Sequence, residues 1–226
     1  MIRGDVRVAR GGLWSAVLAG AVYAVMWVGW SQGWHWVVAT DAATLRPAYR
    51  IGVAHHGWVT FWNVWCSVFS PLSFRALTLG LVVLALVRRR IRLALFLFAT
   101  VELSAVVAET AKRLADRPRP ATELVHAAST SFPSGHAVGT MIVTLVAWLV
   151  LLPVLGRAGR RWTIGLGCLL VLSVGAGRVA LNVHHLSDVV AGWALGYLWV
   201  VLCLAVLGRP RLTAPDETPA GPGSAR

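Results

Sequence analysis

Apolar residues fall in six runs along the chain, at 13–30, 72–87, 91–111, 137–155, 162–180 and 187–207. About 20 apolar residues in a helix, at about 1.5 Å each, cross a bilayer core. The pattern predicts an all-α, polytopic membrane protein with six transmembrane helices in a bundle. The second run is short for a crossing. It is preceded by segment 58–70, which holds Trp58, Phe61, Trp62, Trp65 and Phe69 beside Asn63, and Pro71 then breaks the helix. This segment reads either as a helix lying in the interface, where tryptophan collects, or as the outer part of one long, tilted second span. Ala19-Gly20-Ala21 resembles a signal-peptide cleavage site, but the apolar run continues to Trp30, which favours an uncleaved span. The expected organisation is a membrane domain over 1–208 and a disordered tail over 209–226, rich in Pro, Gly and Ala.

Composition supports this reading and removes others. Hydrophobic residues make up 57% of the chain and charged residues 13%. A soluble domain carries about 25% charged residues. The hydrophobicity also excludes disorder over most of the length. The 21 basic and 9 acidic residues leave a net charge of +12. Such an excess usually suggests nucleic acid, but here the cations are scattered in short segments between apolar runs, so no nucleic-acid partner is expected. Their placement reads instead as topology. One set of segments carries Arg3, Arg7 and Arg10, then Arg88, Arg89, Arg90 and Arg92, then Arg157, Arg160 and Arg161, then Arg209, Arg211 and Arg226, which is 13 cations; the other set carries 8. By the positive-inside rule the first set is cytoplasmic, with both termini inside. The three cysteines, Cys66, Cys168 and Cys203, lie in apolar sequence without metal-ligand spacing and read as buried hydrophobes.

The opposite, outer segments hold all seven histidines and three polar stretches. The first runs from Lys112, the chain's one lysine, through Arg117 and Arg119 to Pro120. The second is Ser131-Phe132-Pro133-Ser134-Gly135-His136, at the start of the fourth run. The third is Gly177-Arg178 followed by His184-His185-Leu186-Ser187-Asp188. A bundle brings such span ends into one pocket. Lysine and arginine suit phosphate oxygens, and a helix start offers backbone N–H groups to an anion. Gly135 allows the backbone to come close. His184 and Asp188 are four apart, so in a helix the carboxylate holds one ring nitrogen and leaves the other free to attack. His136 supplies a second imidazole to protonate a leaving group. Phosphoryl transfer needs mainly positioning and charge stabilisation, and this set offers both without an obvious metal site.

In this arrangement the chain resembles the type 2 phosphatidic acid phosphatase superfamily, whose signature is K-x6-R-P, P-S-G-H and S-R-x5-H-x3-D. Lys112 with Arg119-Pro120 matches the first part, 133–136 the second, and Arg178, His184 and Asp188 the third. The resemblance implies that Lys112, Arg119 and Arg178 clamp the phosphate, helped by Ser134 and the Gly135 N–H. It implies that His184 is the nucleophile forming a phosphohistidine, that Asp188 orients it, and that His136 is the general acid, with no metal and no cofactor. One position departs from the pattern: Gly177 stands where the family has serine. One missing hydrogen bond, about 1 kcal/mol, predicts weaker phosphate binding. His185 is the adjacent rival nucleophile; one step along a helix turns its ring about 100° away from the carboxylate.

The remaining polar residues receive blander readings. Arg113 and Arg117 are expected to face water or headgroups. Glu109 and Asp116 are expected to partner a motif arginine. His35, His55 and His56 fit an interfacial Trp-rich outer loop, and His126 a loop. Glu102, within the third run, is either functional, as intramembrane carboxylates often are, or bonded to a facing helix. The expected activity is hydrolysis of a lipid phosphate at the outer surface, with membrane lipids as surroundings and polyprenyl diphosphate (such as undecaprenyl diphosphate) or phosphatidic acid as substrate. A lipid phosphotransferase and a lipid-phosphate transporter are the alternatives.

Overall fold

The computed structural model describes residues 2–209, and among these it is helical with no strand. The expected tail beyond 209 lies outside the described residues. The helices are α1 (Ile2–Ser31), α2 (His35–Ala54), α3 (His56–Val68), α4 (Pro71–Val87), α5 (Ile91–Leu97), α6 (Ser104–Ala115), α7 (Gly135–Leu151), α8 (Arg157–Ala180) and α9 (Leu186–Leu207); a π-helical turn, Phe98–Glu102, joins α5 to α6. Five stretches are long and apolar enough to cross a membrane: Gly12–Ser31, His56–Val87, Ile91–Ala115, Arg157–Ala180 and Leu186–Leu207. At 17 residues, α7 is shorter, about 25 Å of helix. Large apolar side chains such as Leu13, Trp14, Leu72, Leu77 and Val106 stand exposed on these helices, as lipid-facing positions do.

One departure from the sequence reading, and one alternative it left open, concern the segment before α4. The histidine- and tryptophan-bearing loop is largely a helix, α2. Its buried residues Val37, Asp41, Leu45 and Gly52 lie on one face, while Thr40, Arg46 and Arg50 interrupt any apolar run; only one stripe needs to be buried, so mean hydropathy hides it. His35, His55 and His56 sit at the helix ends and are exposed. Segment 58–70 forms α3 and is continuous in hydropathy with α4. Ser70 separates the two: its Oγ accepts from Ser73 N at 3.1 Å, and Pro71 opens α4.

Helix α9 is the centre of the bundle and packs on α1 and α7. Gly192 and Gly196 make the α7 contact close. A Cβ at Gly192 would lie 2.7 Å from Ser134 O, and one at Gly196 would lie 2.8 Å from Val138 O. This small-xxx-small spacing lets two apolar helices approach backbone to backbone. It also sets the start of α7 beside the start of α9. The ends of α6 and α8 meet them there, so all three polar stretches converge at one end of the bundle. The arginine-rich turns 88–90 and 157–161 lie at the other ends of the same helices.

Candidate active site

Helix termini deliver Lys112, Ser134, Gly135, His136, Arg178 and Asp188, and the loops beside them deliver Arg119 and His184. Lys112 is in the last turn of α6, which ends at Asp116 in a left-handed conformation (φ 45°). The chain turns back there, and the following loop runs across the bundle end. Lys112 is buried and donates from Nζ to Thr130 O at 2.5 Å and to Ser129 Oγ at 3.2 Å. Arg119 donates from Nε to Ser129 O at 2.6 Å and from Nη1 to Val183 O. Arg178, in the last turn of α8, is buried beside Cys66. Ser134 is the N-cap of α7, and its backbone N–H donates to Asp188 O at 3.0 Å. Gly135 follows; a Cβ on it would sit 3.8 Å from Lys112 Cε, so the first and second stretches are adjacent.

His184 sits at the floor, 1% exposed. Its Nε2 lies 3.3 Å from Arg119 Nη1, and its Nδ1 lies 3.6 Å from Asp188 Oδ2, longer than a hydrogen bond. A guanidinium only donates, so Nε2 is the accepting nitrogen and the ring proton is on Nδ1, facing the carboxylate. Burial, first of all, and then Arg178 and Arg119 push this imidazole down to about 3, against the raising pull of Asp188. It is therefore neutral at pH 7. Burial likewise lowers Arg119 from the usual guanidinium value. His136, in the first turn of α7, has its Nε2 3.2 Å from Cys66 O. A carbonyl only accepts, so this nitrogen carries the proton and Nδ1 is left to exchange one.

The structure thus brings together all eight of the expected residues: His184, His136, Asp188, Lys112, Arg119, Ser134, Gly135 and Arg178. Three buried polar atoms among them, Ser134 Oγ, Arg178 Nε and His184 Nδ1, have no hydrogen-bond partner among the described residues. A serine N-cap normally accepts from its own helix, so Ser134 keeps its hydroxyl free of that duty. No group of three or more His, Cys, Asp or Glu among the described residues is arranged to hold a metal ion.

Several expectations require correction. His185 does not turn away from Asp188. Helix α9 begins at Leu186, and His185 is its N-cap, so the helix-face argument does not apply. Its backbone N–H donates to Asp188 Oδ2 at 2.8 Å, and its ring Nδ1 is 3.2 Å from the same oxygen, in a capping box. Arg117 is not a surface residue: it is buried and bonded to Asp188, Ser187 and Asp41. Asp41, which the sequence reading passed over, is buried too. It is the one acidic residue between Asp5 and Glu102, an isolated carboxylate that could have drawn attention. Glu109 pairs not with a motif arginine but with Arg113, at 3.0 Å on an exposed face, and Asp116 is an exposed helix cap. Glu102 meets Arg75 of the facing helix α4 at 3.2 Å. Gly177 is packed rather than merely permissive: a Cβ there would lie 2.7 Å from Cys66 Sγ and 2.8 Å from Trp62 Cε3.

Comparisons with known proteins place the chain in a family. The sequence profile described as the PAP2 superfamily matches residues 93–211, more than half of the chain and all three polar stretches. Phosphatidylglycerophosphatase B of Bacillus subtilis (strain 168) is 40% identical over 91 residues, covering 38% of this chain and 44% of that protein. A lipid A 1-phosphatase of Rhizobium johnstonii is 33% identical over 139 residues, covering 55% of this chain and 53% of that protein. The chain spans about half the length of these relatives. The crystal structure of a transmembrane PAP2-type phosphatidylglycerolphosphate phosphatase from Bacillus subtilis shares the fold, with a TM-score of 0.69 at 21% identity over 89% of this chain and 100% of that one. With its apolar helices this chain is a multi-pass membrane protein, and it belongs to the PAP2 superfamily.

Proposed function

We propose that the protein is a membrane-embedded lipid phosphatase, hydrolysing a phosphomonoester or diphosphate of a lipid through a phosphohistidine on His184, without a metal. The observation that carries this reading is the floor of the site. A neutral, buried imidazole presents its unprotonated Nε2 toward Arg119, beneath Lys112 and Arg178, with Ser134 Oγ and Arg178 Nε free to bond an anion. Lys112, Arg119 and Arg178 hold the phosphate oxygens, with Ser134 and the Gly135 N–H completing the cradle. The Nε2 lone pair forms the N–P bond as the bond from phosphorus to the lipid oxygen breaks. That oxygen takes its proton from Nδ1 of His136, which enters this step as the imidazolium with its Nε2–H on Cys66 O. Water then attacks phosphorus and gives a proton back to His136 Nδ1, the N–P bond breaks, and phosphate leaves. Asp188 faces the Nδ1 proton throughout and stabilises the charge that develops on the ring. Three fixed cations supply the charge stabilisation that phosphoryl transfer mainly requires.

In this reading α1, α3–α4, α5–α6, α7, α8 and α9 make six crossings. Both termini are cytoplasmic, because the arginine-rich turns lie at that end, and the site opens at the outer surface, where a lipid presents its phosphate while its tail stays in the bilayer. Phosphatidic acid and a polyprenyl diphosphate are the substrates proposed. The names of the relatives add phosphatidylglycerophosphate and lipid A 1-phosphate.

Phosphate release from a panel of these lipids, in detergent with EDTA, tests the reading. Wild type is expected to release phosphate from at least one of them, and His184→Ala to lose about 1000-fold or more. No release from any lipid would favour a transporter; label moved to an acceptor with no free phosphate would favour a transferase.

A further inference from the structure

The reading of the site leaves one buried cation unused. Arg117 lies 7% exposed, and its partners are buried with it: Asp41 at 3%, Ser187 at 4% and Asp188 at 0%. Arg117 Nη1 donates to Asp188 Oδ1 at 2.5 Å and to Ser187 Oγ at 2.7 Å, and Nη2 donates to Asp41 Oδ2 at 2.9 Å. Ser187 in turn donates to Asp41 twice, from its backbone N–H to Oδ1 at 2.9 Å and from Oγ to Oδ2 at 2.7 Å. The guanidinium carbon lies 5.1 Å from the centre of the Trp30 ring of α1, a cation–π contact. Four residues from α2, the loop after α6 and the start of α9 thus form a closed, buried network.

Its geometry and charge both bear on His184. Arg117 occupies Oδ1 of Asp188, which fixes the carboxylate and turns Oδ2 toward the two imidazoles. With Arg117 alone, Asp188 would form a neutral pair and offer little to a ring becoming cationic. Asp41 brings the network to a net charge of −1 and binds the other arm of the fork. That negative charge faces His184, where it stabilises the positive charge that develops as the ring attacks phosphorus.

We propose that Asp41 and Arg117 are positioning residues for His184, acting through Asp188, an inference that rests on the phosphatase reading above. Asp41 comes from α2 and lies outside the segment 93–211 that carries the family match. The helices at the start of the chain therefore complete the machinery rather than only anchoring it.

Single-turnover formation of phosphoprotein from 32P-phosphatidic acid, or from the panel lipid that wild type turns over best, tests this on full-length protein in detergent. The rate constant does not depend on how much of the sample is folded, whereas the amplitude does. Asp41→Asn is expected to lower the rate constant roughly 10- to 100-fold and to leave KM within about twofold, because the phosphate cradle is untouched. The double variant Asp41→Asn/Arg117→Gln is expected to react no more slowly than Arg117→Gln, since Asp41 acts through the arginine. Should Asp41→Asn not fold, Ser187→Ala, which removes the bridging hydroxyl, is expected to slow the step roughly threefold or more. A wild-type rate constant with reduced amplitude in these variants means a structural role only and overturns the proposal. Full activity in His184→Ala would instead overturn the phosphatase mechanism beneath it, so the two failures are distinguishable.

Discussion

The polar end of the bundle has two sides, built from similar residues in opposite condition. On the carboxylate side, Asp41, Arg117, Ser187 and Asp188 satisfy one another through a closed set of hydrogen bonds. Ser131 Oγ and the His185 backbone N–H add further donors to Asp188. On the cradle side, Ser134 Oγ and Arg178 Nε are buried without partners. A buried polar atom without a partner costs about 1–3 kcal/mol, so the fold holds the cradle side at a penalty that an anion would relieve. The saturated side fixes geometry, and the unsaturated side is where a ligand does its bonding. An arginine's role in this chain follows from which side it faces and not from its presence in a motif.

Disturbing the cradle should therefore affect turnover most. Arg178→Gln removes the charged donor that the proposed mechanism assigns to the phosphate and is expected to lower kcat/KM roughly 100- to 1000-fold. Arg113→Gln, changed on the exposed face of the same protein, should stay within about twofold; steady-state kinetics on both decides whether the distinction holds. A smaller effect is expected at Gly177. The sequence alone suggests that restoring the family's serine adds a hydrogen bond. The packing of Cys66 and Trp62 against this position argues the reverse. Gly177→Ser is expected to cost about 1–3 kcal/mol in overpacking, read as a lower Tm in detergent with no gain in kcat/KM. A rise in both would show that α3 yields easily.

An effect on stability alone concerns pH. His184 is held near 3 by burial, far below the ordinary histidine value. Between about 6.5 and 3 the unfolded chain binds a proton that the folded site excludes, so folded stability falls as pH drops through that window. The asparagine variant His184→Asn lacks this proton. The gap between its stability and that of wild type should shift in the variant's favour by about 1.4 kcal/mol for each pH unit below about 6. Thermal unfolding of the two proteins between pH 7 and 4 measures this, and parallel curves would show that the imidazole is solvated.

Much of this organisation was legible in the sequence, and the misses have physical causes. Apart from the start of α1, which lies eleven positions before its run, the six apolar runs matched helix bounds to within about five residues, because a membrane-sized helix is written in consecutive positions. The gathering of the polar residues at one site was legible because residues of rare type stood at fixed spacing at the ends of those runs. Helix α2 was not, because Arg46, Pro47 and Arg50 break the apolar run along the chain while its buried stripe occupies only one face. The Asp41–Arg117 pair was not, because its members are 76 positions apart, and nothing local distinguishes a buried arginine from its exposed neighbour Arg113. The position of His185 was misjudged because a helix face was assumed two residues before the helix begins.

The claim on which the rest depends is that His184 becomes covalently phosphorylated. Acid-labile, base-stable label trapped during turnover of a 32P-lipid, followed by peptide mapping, tests it directly. We expect the label on the peptide carrying His184 in wild type and none in His184→Ala. Phosphate release at an undiminished rate with the label absent, or found on His185 or His136 instead, would contradict it.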